Sequence, residues 1–265
     1  MPAPEVTGRI TANFECVRGE TQLRESYCAA PLKIAKTFPL QDGQIGLCIM
    51  DSSPGLLTGD SYQLAWCLDA GARVFLTNQA YTKVHPSLVT GSYQAQHIKL
   101  KPGALLEYMP EPVMLYRDAA LHSECNVQLD PGSTLLLSEI LCAGRVSRNE
   151  IFQFRAYESL LRVHYAGNLI FHNRTHFYPA TQNLRTLAAW HNCTHWGNCY
   201  LFSAQIRECH VEAIRQVTAQ YPQLLSGVSF THQHDVAVSV LGHRAWDIQQ
   251  LFGSIRQVVR ASSAF

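Results

Sequence analysis

The sequence predicts a mainly β protein, a β-helix or solenoid-like array of strands that carries two α-helices in its C-terminal region. Three observations predict it. Four segments repeat one pattern of an alternating apolar run, a glycine turn and a second apolar run: "YQLAWCLDAGARVFLTN" around Gly71, "QHIKLKPGALLEYMP" around Gly103, "CNVQLDPGSTLLLSEI" around Gly132 and "LLRVHYAGNLIFHN" around Gly167. Alternation marks half-buried strands, and Pro-Gly or Ala-Gly between them marks a turn that needs positive φ. The unit recurs at roughly 30 residues, the mark of coils stacked on one another.

Strands therefore account for residues 1–202. A β-sandwich with similar hairpins fits the same alternation, so spacing alone leaves solenoid and sandwich both open. The C-terminal third changes period. From Ser203, "SAQIRECHVEAIRQVTAQY" sets Ile206, Ala213, Ile214, Val217 and Tyr221 at helical spacing, with Ser203 as N-cap and Pro222 as stop, giving a helix over about 203–221. A second stripe, Ile248, Leu251, Phe252, Ile255, Val258 and Val259, gives a helix over about 245–260. Between them "SGVSFTHQHDVAVSVLG" reads as a hairpin. Both helices pack on the strands, and residues 1–265 are expected to form one domain.

Composition narrows the function classes. The chain has 265 residues, 47% apolar and 15% charged, with a formal net charge of +1. Lysines and arginines are scattered, which argues against a nucleic-acid groove. No stretch is apolar for long enough to span a bilayer and no leader pattern opens the sequence, so a cytoplasmic protein is expected. Nine cysteines, widely spaced and without a CxxC pair, read as reduced core residues.

The stretch "SPGLLTGD" at Ser53 to Asp60 resembles a phosphate loop only on the surface. Gly55 and Gly59 are too close for a P-loop, and Asp60 stands where the phosphate-binding lysine belongs. "HQHDV" places His232, His234 and Asp235 together, the makings of a metal-dependent hydrolase. Its spacing is wrong for two metals, since no histidine follows Asp235. "WHNCTHWGNCY" holds His191, Cys193, His195 and Cys199, donors suited to zinc in a spacing that matches no usual zinc pattern. No hydrolase nucleophile elbow is present.

Several segments, in order, resemble the urease accessory protein family UreD, also called UreH. "APLKIAKTFP" is similar to the family's early P-[LM]-[KR] stretch, and "SPGLLTGD" to its S-P-G-[LI]-[LV]-x-G-D motif, including Gly55, Gly59 and Asp60. "GARVFLTNQAYTKVHPS" carries Thr82 and Lys83 in the family's T-x-Q-x-x-[ST]-K pattern, and "LLEYMPEPVMLY" resembles L-E-[YW]-x-P-[ED]-P. "LLLSEILCAGRVSRNEIF" aligns Glu139, Gly144, Arg145 and Glu150 with the family's most specific run. Two departures stand out: "RASSAF" replaces a basic Pro-Arg-x-Trp tail, and His172 replaces a carboxylate usual after "LIF".

The resemblance implies a β-helix-like fold with two helices, and a maturation factor, not an enzyme. It implies action with UreF, directly, and with the GTPase UreG through UreF, on the urease apoprotein. No cofactor is permanently bound; Ni2+ passes transiently along an internal polar channel. Carried over position by position, the channel candidates are Asp60, Thr82, Glu139 and His172, with Asp60, Glu139 and His172 as transient nickel contacts. Such a path needs weak imidazole, carboxylate or water ligands, and thiolates along it would trap the ion. The plainer reading makes Asp60 a turn cap, Glu139 and Arg145 a buried ion pair with Glu150 as further partner, and Lys83 a packing residue. A solenoid binding module without metal traffic is the other alternative.

Overall fold

The computed structural model describes residues 5–87, 89–231 and 235–261. Strands β1 (Gly8–Val17) and β2 (Glu20–Ala29) form a hairpin, and β3 (Leu32–Pro39) pairs back on β4 (Ile45–Asp51). From β4 the chain winds in coils. The first holds β4, a bridge at Leu56 and β5 (Ser61–Leu68); the second holds β6 (Arg73–Asn78), β7 (Thr82–Val84) and β8 (Ser92–Leu100). The third holds β9 (Leu105–Tyr108), β10 (Val113–Leu115) and β11 (Ala120–Leu129); the fourth holds β12 (Thr134–Cys142), a 3-10 turn at Val146–Arg148 and β13 (Ala156–Tyr165). Strands β1, β5, β8, β11 and β13 stack in parallel as one sheet, and β4, β6, β9 and β12 as a second. A narrow third face joins β7 to β10 and Leu56 to Val84. This coil-on-coil stacking is a solenoid, and it excludes the sandwich.

The rest of the chain folds back antiparallel. β14 (Asn168–Phe177) pairs with β13, while β15 (His195–Ser203), β16 (Leu225–Phe230) and β17 (Asp235–Gly242) extend the second sheet beyond β12 in the order β15, β17, β16. Helices α1 (Glu208–Ala219) and α2 (Ala245–Ala261) cover that extension. Neither is long and apolar enough to cross a membrane.

Three of the four repeated glycines turn the coils. In Asp69 to Ala72, Lys101 to Ala104 and Asp130 to Ser133 the fourth residue's N–H donates to the first residue's carbonyl, at 3.1, 3.0 and 3.1 Å. Glycine holds the third position at φ of +73°, +70° and +80°, the left-handed geometry of a type II turn. The turns stack, Gly71 N–H donating to the Pro102 carbonyl at 3.1 Å, and Lys101 pairs with Asp69 one coil away at 2.8 Å. Gly167 differs: with Ala166, also at positive φ, it closes the β13–β14 hairpin, so the repeat ends at Gly132.

Strand β12 explains why "LLLSEILC" is apolar almost throughout. Leu135, Leu137 and Leu141 face the solenoid interior, while Leu136, Ile140 and Cys142 face the helix layer. Period-two alternation thus serves two cores at once. The outer face of the same sheet also buries Glu107, fully enclosed on β9. Arg260 Nε donates to its Oε1 at 2.7 Å, Arg256 Nη2 to its Oε2 at 2.9 Å, and Gln44 Nε2 to its Oε2 at 2.8 Å. Arg256 also lies over the Phe75 ring at 4.5 Å. These contacts dock α2.

Helix α1 starts later than its periodicity predicts. Ser203 does not cap it: residue 203 ends β15, where pairing with β12 keeps it extended, and its hydroxyl accepts from Thr134 Oγ1 at 3.0 Å. The cap is Arg207, at φ −135°, whose N–H donates to His210 Nδ1 at 2.9 Å. Pairing across β12 overrides the helical stripe there.

Burial alone would raise the Glu107 carboxyl, but bonds from Arg260, Arg256 and Gln44 outweigh it and hold it below its usual value. A depressed folded-state value means that Glu107 stabilises the fold above its unfolded pKa, and that this contribution is lost as pH falls through the folded one. Glu107→Ala, which strands two arginines, is expected to cost about 3 kcal/mol in urea unfolding at neutral pH. Glu107→Gln is expected to flatten the acid limb of the stability profile.

Candidate functional site

The solenoid interior is apolar at one end and polar at the other. Along the parallel strands β5, β8, β11 and β13, side chains line up row by row. One inward row is Trp66, Ile98, Val127 and Val163; the next is Leu64, Gln96, Cys125 and Leu161; the next is Tyr62, Gln94, Ser123 and Ser159. The apolar rows close the core near the stacked glycine turns. Where the rows turn polar, a cavity of about 360 Å³ opens, lined also by Tyr108, Tyr157 and Glu139. That is room for roughly ten water molecules. It reaches the surface at the exposed residues Asp51, Pro54, Gln79, Ala80 and Lys83.

Glu139 is the carboxylate at the depth of this cavity, on the inward face of β12. Asn198 Nδ2 donates to its Oε1 at 2.9 Å, and Tyr200 OH donates to the same oxygen at 3.3 Å. Both donors are themselves held: Ser239 Oγ donates to Asn198 Oδ1 at 2.7 Å, and Asn173 Nδ2 to the Tyr200 hydroxyl at 2.9 Å. Burial raises the Glu139 carboxyl above its usual value, and the two hydrogen bonds only partly oppose that. Burial, and then the Glu139 charge, push the Cys125 thiol up to about 12, so it stays protonated at neutral pH.

The residues expected to share a channel divide. Thr82 and Glu139 line the cavity, as do Gly55 and Lys83. Gly55 sits at φ +128°, and a Cβ there would fall 2.3 Å from the Lys83 carbonyl oxygen, which accepts the Leu56 N–H at 2.8 Å. Only glycine lets the wall close at that point. Asp60 does not line the cavity. It accepts the Leu57 N–H on Oδ2 at 2.7 Å while its own N–H donates to the Leu57 carbonyl, so it caps the turn that contains Gly59. His172 is exposed on β14. A bulge between β13 and β14 sets the register so that Asn173, not His172, faces inward and reaches Tyr200.

Arg145 is not the partner of Glu139. Its guanidinium grips Glu150 in two bonds of 2.6 Å and lies 4.0 Å over the Tyr116 ring, while Gly144 makes room for the Glu150 backbone. The cluster of His191, Cys193, His195 and Cys199 is not assembled either. His191 is exposed, Cys199 faces the helix layer, and Cys193 lies 3.9 Å from His243 instead. Burial and then the neighbouring His243 lower His195 to about 4, and its Nδ1 meets Thr194 Oγ1 at 2.9 Å. His232 and His234 lie outside the described residues, and Asp235 is buried at the start of β17. Among the described residues no three His, Cys, Asp or Glu side chains gather to hold a metal ion.

Sequence reading missed the cavity's other polar lining. Gln94 and Gln96 share a strand face with the core residues Ile98 and Leu100, and that parity was the available signal. It also missed the partners of Glu139. Asn198, Tyr200 and Asn173 lie on strands far apart in sequence, and nothing local marks their convergence.

Fold and cavity together define a hollow β-solenoid scaffold with a polar, carboxylate-bearing interior. The chain belongs to the UreD urease accessory protein family, which matches residues 6–264. It is similar to the urease accessory protein UreD of Acetivibrio thermocellus, 34% identical over 91% of this chain and 92% of that protein. The UreD proteins of Actinobacillus pleuropneumoniae serotype 3 (32% identical, 93% and 94% covered) and Haemophilus influenzae strain PittGG (31%, 92% and 94%) are also similar.

Asp60→Ala, which removes the acceptor for the Leu57 N–H, is expected to lower stability by about 0.5–1 kcal/mol, read from the urea midpoint. Asp60→Asn keeps an acceptor oxygen and is expected to change it far less.

Proposed function

We propose that this protein is a urease maturation factor, a non-catalytic cytoplasmic scaffold that joins UreF directly, and UreG through UreF, on the urease apoprotein. It takes part in delivering nickel to the dinuclear site of urease, and the solenoid cavity is the path. The observation that carries this reading is an interior carboxylate, Glu139, set in a polar cavity of a chain from the UreD family. Ni2+ is cargo here and not a resident cofactor.

The chemistry suits transit better than storage. Ni2+ is well served by carboxylate, phenol, amide and water oxygens, none of which binds it as tightly as a thiolate or several imidazoles. Glu139 draws the cation inward without enclosing it, and Glu111 and Asp51 line the same cavity. Asn198 and Tyr200 both donate to Oε1 of Glu139. Thr82 and Lys83 also line the cavity, and the exposed Asp51 supplies a further negative charge at its opening.

Deleting the gene is expected to leave urease subunits expressed but poor in nickel and inactive; nickel-replete, active urease in the deletion strain would sink the proposal. Glu139→Gln separates the path from the architecture. Glutamine keeps an oxygen that accepts from Asn198 and Tyr200, and it removes a buried charge, so stability at neutral pH is expected to hold or rise. Nickel counted on co-expressed urease is expected to fall. Because the Glu139 carboxyl is raised, the wild-type advantage over Glu139→Gln is expected to shrink as pH drops and the carboxylate takes up its proton. A variant that loses partner binding as well would show that Glu139 acts through the fold.

A further inference from the structure

The open interior does not end at Glu139. Beyond β12 the second sheet continues through β15 to β17 and β16, and a cleft of about 510 Å³ opens there, lined by Thr175 and Phe177 of β14 and by Trp196, Leu225, Ser239 and Leu241. Trp196 also lines the cavity that holds Glu139. The two spaces are therefore separated by the row of inward side chains on β15, namely Trp196, Asn198 and Tyr200. Phe177 meets Trp196 edge-on at 5.5 Å, and Asn173 holds Tyr200, which braces that row from β14.

Asn198 stands in the middle of the row. Glu139, Asn198 and Ser239 are register partners on three adjacent strands. Ser239 is exposed and lines the cleft; its Oγ donates to Asn198 Oδ1 at 2.7 Å, and Asn198 Nδ2 donates to Glu139 Oε1 at 2.9 Å. One buried amide thus links the carboxylate of the cavity to a hydroxyl of the cleft. As it stands, the amide turns N–H donors toward Glu139, and a cation finds no ligand in them. Rotated about its soft terminal torsion, the same side chain turns its oxygen there instead. Carboxylate, amide oxygen and hydroxyl then follow one another as oxygen ligands, which Ni2+ accepts without being trapped. Because Ser239 is exposed, its hydroxyl has other acceptors to turn to, so the cleft controls how firmly the amide is held.

We propose that the cleft is the far end of the passage and that Asn198 is its gate, kept shut by Ser239 and opened when the amide turns its oxygen toward Glu139. The gate rests on the reading of the cavity as the nickel path.

The test counts nickel on urease co-expressed with variants of the full-length chain, with pull-down of UreF and urease and urea unfolding as checks on the fold. Thr175→Trp fills the cleft without removing any member of the hydrogen-bonded row, and is expected to lower nickel by roughly tenfold with partner binding retained. Asn198→Leu, close in size and without an oxygen, is expected to lower it similarly; Asn198→Asp, with an oxygen on both arms, is expected to keep it. A purely structural Asn198 predicts the reverse order, since a second carboxylate beside Glu139 is the costlier burial. Ser239→Ala, which releases the amide, is expected to load urease at least as well as wild type. The gate is overturned if Thr175→Trp binds its partners and loads urease fully, or if folded Asn198→Leu loads more nickel than folded Asn198→Asp. Should Asn198→Asp fail to fold, Thr175→Trp decides alone. Glu139→Gln in the same series keeps the two readings apart. Full loading with Glu139→Gln means that the cavity is not the path; loss with Glu139→Gln but not with Thr175→Trp leaves the path standing and removes only the gate.

Discussion

Burial of β12 on both faces is the constraint on which the rest of the molecule depends. Its odd-numbered residues complete the solenoid interior and its even-numbered residues found the helix layer. A strand of this kind has no solvated side on which to place a charge, so any charge on it must be accounted for by chemistry. Glu139 is that charge. Its position, two residues from Leu137 and from Leu141, puts a carboxylate on the interior face of a strand that otherwise places leucines there, and it lines the cavity.

Two buried carboxylates on this one sheet show what the protein does with negative charge. Glu107 faces outward under α2 and is neutralised by two arginines, which fix the helix and leave the carboxylate nothing further to attract. Glu139 faces inward and meets only a neutral amide and a phenol. Arginine beside Glu139 would have lowered its pKa and cancelled its field. The contrast is between a charge spent on architecture and one kept available, and it is set by which face of a β-strand each residue occupies.

Much of the solenoid was legible in the sequence, because its rule is local. Asp-Ala-Gly, Lys-Pro-Gly and Asp-Pro-Gly each name a turn type, and their recurrence names the stacking. The period did not show where stacking stops, since Gly167 has the same flanking pattern while turning a hairpin. Helix α2 matched its stripe; α1 did not begin at Ser203, because a pairing partner 69 residues away in sequence held that residue extended. The site was less legible for the same reason. Glu139, Thr82, Gly55 and Lys83 sit in recognisable motifs, but whether a motif residue faces in or out depends on register. A single bulge on β14 exchanged His172 for Asn173, and Asp60 was diverted to the turn that its own motif creates.

A parallel stack has two ends, and each offers a row of unpaired backbone groups on which another chain can add. Here the first sheet finishes at both ends in hairpins that fold back, β1 with β2 and β13 with β14, and the second finishes in β3 at one end and in β17 with β16 at the other. The stack therefore meets no further parallel coil of its own kind, which limits head-to-tail growth into fibres. These antiparallel terminations also fix the number of coils, and with it the length of the interior. The depth at which Glu139 lies is set as much by where the chain stops winding as by the strand that carries it.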